Sequence, residues 1–155
     1  MTPTRMYKIS MVPILFFMVV GILLLILCFL AFRLAFWSIL MFAFSTSIIG
    51  ASFHLWRKRR EGKGFYWDEE GIVIDLNGNK VYWHEVEDIQ FFKGSTESFS
   101  KATVIYPHYT HHEKIRIRRK KWLPTTAHSV DWFLIENPKE YHKNLMCEWE
   151  QRKAE

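Results

Sequence analysis

Two patterns share this chain. From Ile9 to Phe32 and from Leu34 to Trp56 the residues are almost continuously apolar, and Arg33 is the one Lys, Arg, Asp or Glu between Ile9 and Trp56. From Gly62 onward apolar and polar positions alternate. A bilayer core about 30 Å thick takes roughly 20 apolar residues as a helix, so each uncharged stretch is long enough for one crossing. A single helix through both would be about 70 Å long at about 1.5 Å per residue, more than twice what the hydrocarbon covers. The pattern therefore predicts a helical hairpin over 9–56 with its turn near Arg33, because a guanidinium at the bilayer centre costs several kcal/mol and one at the interface reaches headgroups. Pro13 falls in the first turns of the first span, where a missing amide proton is tolerated. The first apolar run exceeds the roughly 7 to 15 residues of a cleaved leader's hydrophobic region, which favours a retained span.

In the second half the alternation predicts about seven short strands. They are Phe65–Trp67, Ile72–Leu76, Lys80–Trp83, Val86–Phe92, Ala102–Tyr106, Lys114–Arg119 and Ser129–Ile135. Gly62-Lys63-Gly64 reads as a flexible joint, Asn77-Gly78-Asn79 as a hairpin turn and Gly94–Ser100 as a loop. In the strand read over Lys114–Arg119, Ile115 and Ile117 face the core while Lys114, Arg116 and Arg118 face out. A C-terminal helix follows: Asn137 caps it, Pro138 suits its first position, Glu140 its third, and Tyr141, Leu145, Met146 and Trp149 form its apolar stripe. The expected architecture is a membrane α-helical hairpin plus a soluble, mainly-β domain.

Charge refines this. Of the 155 residues, 1–61 hold seven Lys/Arg and one acid, a balance of +6, and 62–155 hold fourteen and fifteen, a balance of −1. The basic excess belongs to the flanks of the apolar segment, which argues against a nucleic-acid partner. Arg5 and Lys8 precede the first span, and Arg57, Lys58, Arg59 and Arg60 follow the second, so these residues set the topology with both termini cytoplasmic. Trp37 and Trp56, near the two ends of the second span, suit the headgroup level. The expected division is a cytoplasmic N-terminus over 1–8, a two-span hairpin over 9–56, a basic juxtamembrane joint over 57–64 and a soluble domain over 65–155. The implied setting is a multi-pass protein of the cell membrane.

The segments Phe65-Tyr66-Trp67-Asp68-Glu69-Glu70-Gly71-Ile72 and Val81-Tyr82-Trp83-His84-Glu85-Val86-Glu87-Asp88-Ile89, with the capped helix at Asn137-Pro138, carry a family likeness. Together they resemble a bacterial pleckstrin-homology-like (PH-like) domain, of the kind found in small membrane proteins with two N-terminal transmembrane helices. The resemblance implies a PH-like barrel of about seven antiparallel strands capped by the C-terminal helix and tethered to a membrane. It implies no catalytic residues, and a fold alone does not fix a function. The His-rich and basic stretch from His108 to Lys121 departs from the pattern.

Candidate chemistry is sparse. His84 and Glu85 are adjacent in a strand and so on opposite faces. Trp83 reads as core, and the acidic runs Asp68-Glu69-Glu70 and Glu85-Glu87-Asp88 read as turns and solvent faces. His108, His111 and His112 lack the spacing and companion ligands of a metal site, so no metal or other cofactor is expected. Cys28 and Cys147 lie in different environments and read as reduced thiols. With no phosphate loop, nucleophile elbow or paired-acid motif, an enzyme is not expected. Arg116, Arg118, Arg119, Lys120 and Lys121, with Trp122 beside them, form a possible contact for an anionic surface, the alternative being a solvated strand edge guarded by its charges. Ala43, Ser47 and Ala51, spaced by four, suit close packing, on the first span or within a homo-oligomer; Thr46, Gly50 and His54 form an adjacent stripe. The expected function is a cytoplasmic interaction module that docks on a protein partner or on membrane lipid. The alternative is an accessory subunit of a larger membrane complex.

Overall fold

A computed structural model of the chain describes residues 5–30, 35–94 and 100–154. The turn expected near Arg33, and residues 95–99 of the loop expected over Gly94–Ser100, lie outside the described residues. The chain divides into two units: Ser10–Gly62 forms one, and the residues up to Ile9 join those from Lys63 on to form the other.

The first unit is a pair of long helices, α1 (Met11–Leu30) and α2 (Ala35–Arg60). Both are long and apolar enough to cross a membrane. The Leu, Ile, Phe and Val side chains that fill most of both helices offer the backbone no hydrogen-bonding partner, so along those runs the i to i−4 ladder satisfies it. Two buried serines bind the helices together. Ser45 donates to the Gly21 carbonyl and Ser52 to that of Ile14, each at 2.7 Å. Between these rungs the backbones come close: a Cβ on Gly21 would stand 2.6 Å from Ile49 Cγ1. Gly21 is thus required by contact rather than by conformation.

Among the described residues the second unit contains seven short strands and two α-helices. Its strands are β1 (Tyr7–Lys8), β2 (Gly64–Phe65), β3 (Gly71–Val73), β4 (Lys80–Tyr82), β5 (Val86–Lys93), β6 (Lys101–Pro107) and β7 (His128–Asp131), with helices α3 (His112–Arg118) and α4 (Pro138–Ala154). The pairings are all antiparallel and make three separate small sheets, β1-β2, β3-β4 and β5-β6-β7. The strands do not close into one barrel. Single 3₁₀ turns at Trp83–Glu85 and Trp132–Leu134 interrupt the ladder. The segment expected as a sixth strand, Lys114–Arg119, lies in α3 up to Arg118, and Arg119 caps that helix. Helix is favoured there because Glu113 sits in the first turn and Arg116 and Arg118 in the last, opposite in sign to each end of the helix dipole. Two isoleucines spaced by two fit an alternating strand as well as a helix, which is why the sequence pattern misleads. The difference is visible at once: Ile115 is fully buried, whereas Ile117 is 65% exposed.

β1 is an element that the alternation reading did not anticipate. Tyr7 pairs with Phe65 and Lys8 with Gly64, Ile9 bridges to Ile135, and the Glu136 amide donates to the Lys8 carbonyl at 2.9 Å. Gly64 is not a loose joint but a strand residue, since a Cβ on it would run into the Tyr7 carbonyl. The Tyr7 ring stacks on Trp67 and meets the edge of Tyr141, and its hydroxyl accepts from Asn144 of α4 at 2.8 Å. Around these lies one core of Phe65, Ile72, Val81, Ile89, Ile105, Ile115, Val130, Ile135, Tyr141 and Leu145. The stripe of α4 is as the sequence implies. Tyr141 and Leu145 are buried, and Met146 and Trp149 pack partly buried on the core. Pro138 opens that helix, and Asn137 before it holds a left-handed φ of 59° while its carbonyl accepts from the Tyr141 amide. The Glu140 carboxylate reaches Arg5 at 2.5 Å.

Candidate functional site

α3 and the chain that follows it carry most of the charged residues singled out from the sequence. The helix is held by three arginines, each in a different way. Arg118 turns inward to Glu85, which is buried in the 3₁₀ turn after β4: its guanidinium donates to the carboxylate at 2.6 and 3.0 Å and to the Lys80 carbonyl at 3.0 Å, and lies 4.3 Å from the centre of the Tyr82 ring. Glu85 also accepts from the Tyr82 amide. Burial pushes its carboxyl pKa up, but the Arg118 hydrogen bonds and the Tyr82 amide outweigh this and hold it below the ordinary carboxylate range. Glu85 is therefore not on a solvent face, as its acidic neighbourhood suggested; a partner 33 residues away in sequence brings it inside.

Arg119 reaches the other way. Its guanidinium donates to His128 Nδ1 at 2.7 Å and lies 3.5 Å from Asp75 Oδ2. Asp75 clasps the β3–β4 turn, accepting from the Asn77 and Asn79 amides and the Asn79 side chain. Burial again pushes the Asp75 carboxyl up, and these bonds with Arg119 bring it below its ordinary value. His128 is 4% exposed. Burial first and the Arg119 charge second push its pKa down to about 4, so the ring is neutral with its proton on Nε2. Arg116 pairs with Glu113 one turn before it and donates to the Trp122 carbonyl at 3.0 Å.

Three of the five residues expected to meet an anionic surface are thus engaged within the molecule. Lys120 and Lys121 are exposed. So are Lys114 of α3 and three apolar residues: Trp122 at 90%, which the sequence already sets beside the basic run, and Ile117 at 65% and Leu123 at 70%, which the strand pattern does not select. The apolar pair directly after Arg119-Lys120-Lys121 was the available signal, once the preceding segment is taken as a helix that ends there.

The other candidates are scattered. His84 is exposed beside the buried Glu85 and stacks on Tyr82; its ring lies 5.8 Å from that of His111, which lies 6.4 Å from His108. His112 turns instead to the Pro107 carbonyl. Among the described residues no group of three or more His, Cys, Asp or Glu is placed to hold a metal ion. Trp83 packs on the core, donates to the Asp68 carbonyl at 2.7 Å, stacks on Trp149 and has the Arg152 guanidinium 4.8 Å from its ring centre. Cys28 is buried in the helix pair and donates to the Ser38 carbonyl, while Cys147 is exposed on α4. Arg57, Lys58, Arg59 and Arg60 form the last turn of α2, where Arg57 pairs with Glu61 and Arg60 lies over Trp56.

Ala43, Ser47 and Ala51 are exposed on α2, as are Thr46, Gly50 and His54. The hydrogen bonds between the helices run through Ser45 and Ser52 of α2, whereas Ser47 donates to its own helix at Ala43. Comparison with protein-family models, curated proteins and solved structures finds no match to this chain.

Proposed function

We propose that this chain is a small integral membrane protein that crosses the bilayer twice and presents a PH-like, non-catalytic interaction module on the cytoplasmic side. The observation that carries the reading is the β1–β2 pair. β1 precedes α1 and β2 follows α2, yet the two strands pair in one folded unit, so the outer ends of both helices start from the same place. A chain built this way crosses a membrane an even number of times. The helices themselves support the crossing: only 22% of the most apolar stretch of α1 and 11% of that of α2 is buried, far less than a soluble core helix requires. The basic last turn of α2 supports the cytoplasmic side, since Lys and Arg concentrate on cytoplasmic flanks.

The likeness to a PH-like domain rests on short antiparallel strands around one core that a C-terminal helix completes. With Arg118 and Arg119 holding α3, Lys120, Lys121 and the apolar residues beside them are left as an exposed contact surface, which supports a docking role. Cys147 tests the placement. A membrane-impermeant maleimide should label it only after cells are permeabilised, with Cys147→Ser as the control that separates any signal from Cys28. Labelling in intact cells would put the module outside and overturn the reading.

A second reading, an accessory subunit of a larger membrane complex, is favoured by one observation: the Ala43, Ser47 and Ala51 stripe is exposed within the helix pair. Purification in a mild detergent as a species of more than the chain mass, reduced to the monomer by Ser47→Leu, would support it.

A further inference from the structure

We infer that the turn after α3 is a membrane-docking tip: Trp122, Leu123 and Ile117 enter the interface of an anionic bilayer while Lys114, Lys120 and Lys121 meet its headgroups. This rests on the reading of a membrane-tethered module and names the surface and the residues by which it docks. The tip has a defined shape. α3 closes with the Lys120 amide on the Ile117 carbonyl at 3.0 Å and the Lys121 amide on the Arg116 carbonyl at 3.1 Å, around a Lys120 whose φ is +52°. This is the double hydrogen bond of a helix end that normally has glycine at its left-handed position, and a lysine there is strained. Arg116 then holds the Trp122 carbonyl at 3.0 Å. The result is a fixed turn that leaves the Trp122 indole 90% and Leu123 70% exposed, beyond a helix whose Ile117 is 65% exposed.

A lone apolar side chain in water needs no explanation, but three within seven residues, held by a closed helix end, do. Charge chooses the occupant. Lys114, Lys120 and Lys121 form no ion pair among the described residues, and the nearest acid in sequence, Glu113, is already paired with Arg116. The tip therefore presents cations and apolar groups and no free carboxylate, which suits a sheet of negative headgroups over hydrocarbon. Tryptophan is the side chain that favours that boundary. The covalent link to two apolar helices at Ile9 and Lys63 makes docking an intramolecular event, so weak contacts suffice. The arginines expected to bind the surface are instead the braces that hold the tip in place.

The test uses the full chain with Cys28→Ser, Cys147→Ser and Trp122→Cys, carrying a polarity-sensitive dye at position 122. It is reconstituted into vesicles of phosphatidylcholine alone and of phosphatidylcholine with phosphatidylglycerol, identical in both leaflets. With the anionic lipid the dye emission should shift to the blue, iodide should quench it less and acyl-chain quenchers more. Adding Lys120→Gln and Lys121→Gln should weaken docking on the order of twenty-five-fold, at about fivefold per charge, and return the dye to water. Equal, water-like emission in both vesicles overturns the inference. So does equal shielding in both that grows with protein density, which would assign the tip to a second copy of the chain. Resistance to alkaline carbonate is read on the same samples: a chain that resists extraction but keeps a wet tip loses only the docking inference, whereas a chain that is extracted loses the tethered reading as well.

Discussion

Arg118 and Glu85 form an ion pair with one partner buried and the other mostly so, and such a pair is more costly to break than to lack. Arg118→Met should leave the Glu85 carboxylate inside without its guanidinium and lower stability by about 3 kcal/mol, whereas the double change Glu85→Leu with Arg118→Met should recover most of the loss. Chemical unfolding of the chain in detergent, followed by tertiary-structure circular dichroism, would separate the two. His128 gives a second residue-scale prediction. Its folded pKa is lowered to about 4, whereas an unfolded histidine titrates near 6.5, so between these values the unfolded chain binds the extra proton. The contribution is complete above about pH 6.5 and is lost as pH falls toward 4, amounting to about 3 kcal/mol. Asp75 and Glu85 are held below their ordinary values, so their own contributions are lost only toward the acid end of this window and below it. A stability profile that declines from pH 6.5 to 4, and flattens in His128→Gln, is the expected result. None of this was legible in the sequence. His128 falls in no motif, and Glu85 sits among acids of which Glu87 is exposed; their partners come from α3, which the chain's order does not place beside them.

At the scale of elements, α3 is where pattern and packing part. In a strand Ile115 and Ile117 would share a face and matter equally; in the helix they lie on opposite sides. Ile115→Ala should cost about 3 kcal/mol and Ile117→Ala a few tenths, measured by thermal unfolding of the two variants side by side. Equal losses would restore the strand. The sequence located most of the remaining elements because their signals are local: the Pro138 start and Tyr141-Leu145 spacing of α4, the Asn-Gly turn before β4, the long apolar runs of α1 and α2. What it missed needed a distant partner. Tyr7-Lys8-Ile9 alternates as a strand does, but three residues ahead of an apolar run read as its flank until Gly64 and Ile135 are seen to receive them. In the same way Ser45 and Ser52 carry the helix contact, although the small-residue stripe beside them has the more regular spacing.

Over the whole chain, the change from solid apolar to alternating residues near Gly62 announces two materials, and the two units follow that boundary with one exception. The exception has the larger consequence. By returning residues 7–9 to the second unit, the fold ties both outer ends of the helical hairpin to one body, so the proposed crossing has both flanks on one side of the membrane. Charge pattern alone assigns each flank separately; in the proposed crossing the β1–β2 pairing makes them agree. The most direct test places a single cysteine before the hairpin or after it. Two chains lacking Cys28 are compared, one with Lys8→Cys and Cys147→Ser, the other with the native Cys147. Under a membrane-impermeant maleimide both should be protected in intact cells and both labelled once the membrane is permeabilised. Labelling of one site in intact cells while the other stays protected would contradict the shared anchorage of the two flanks.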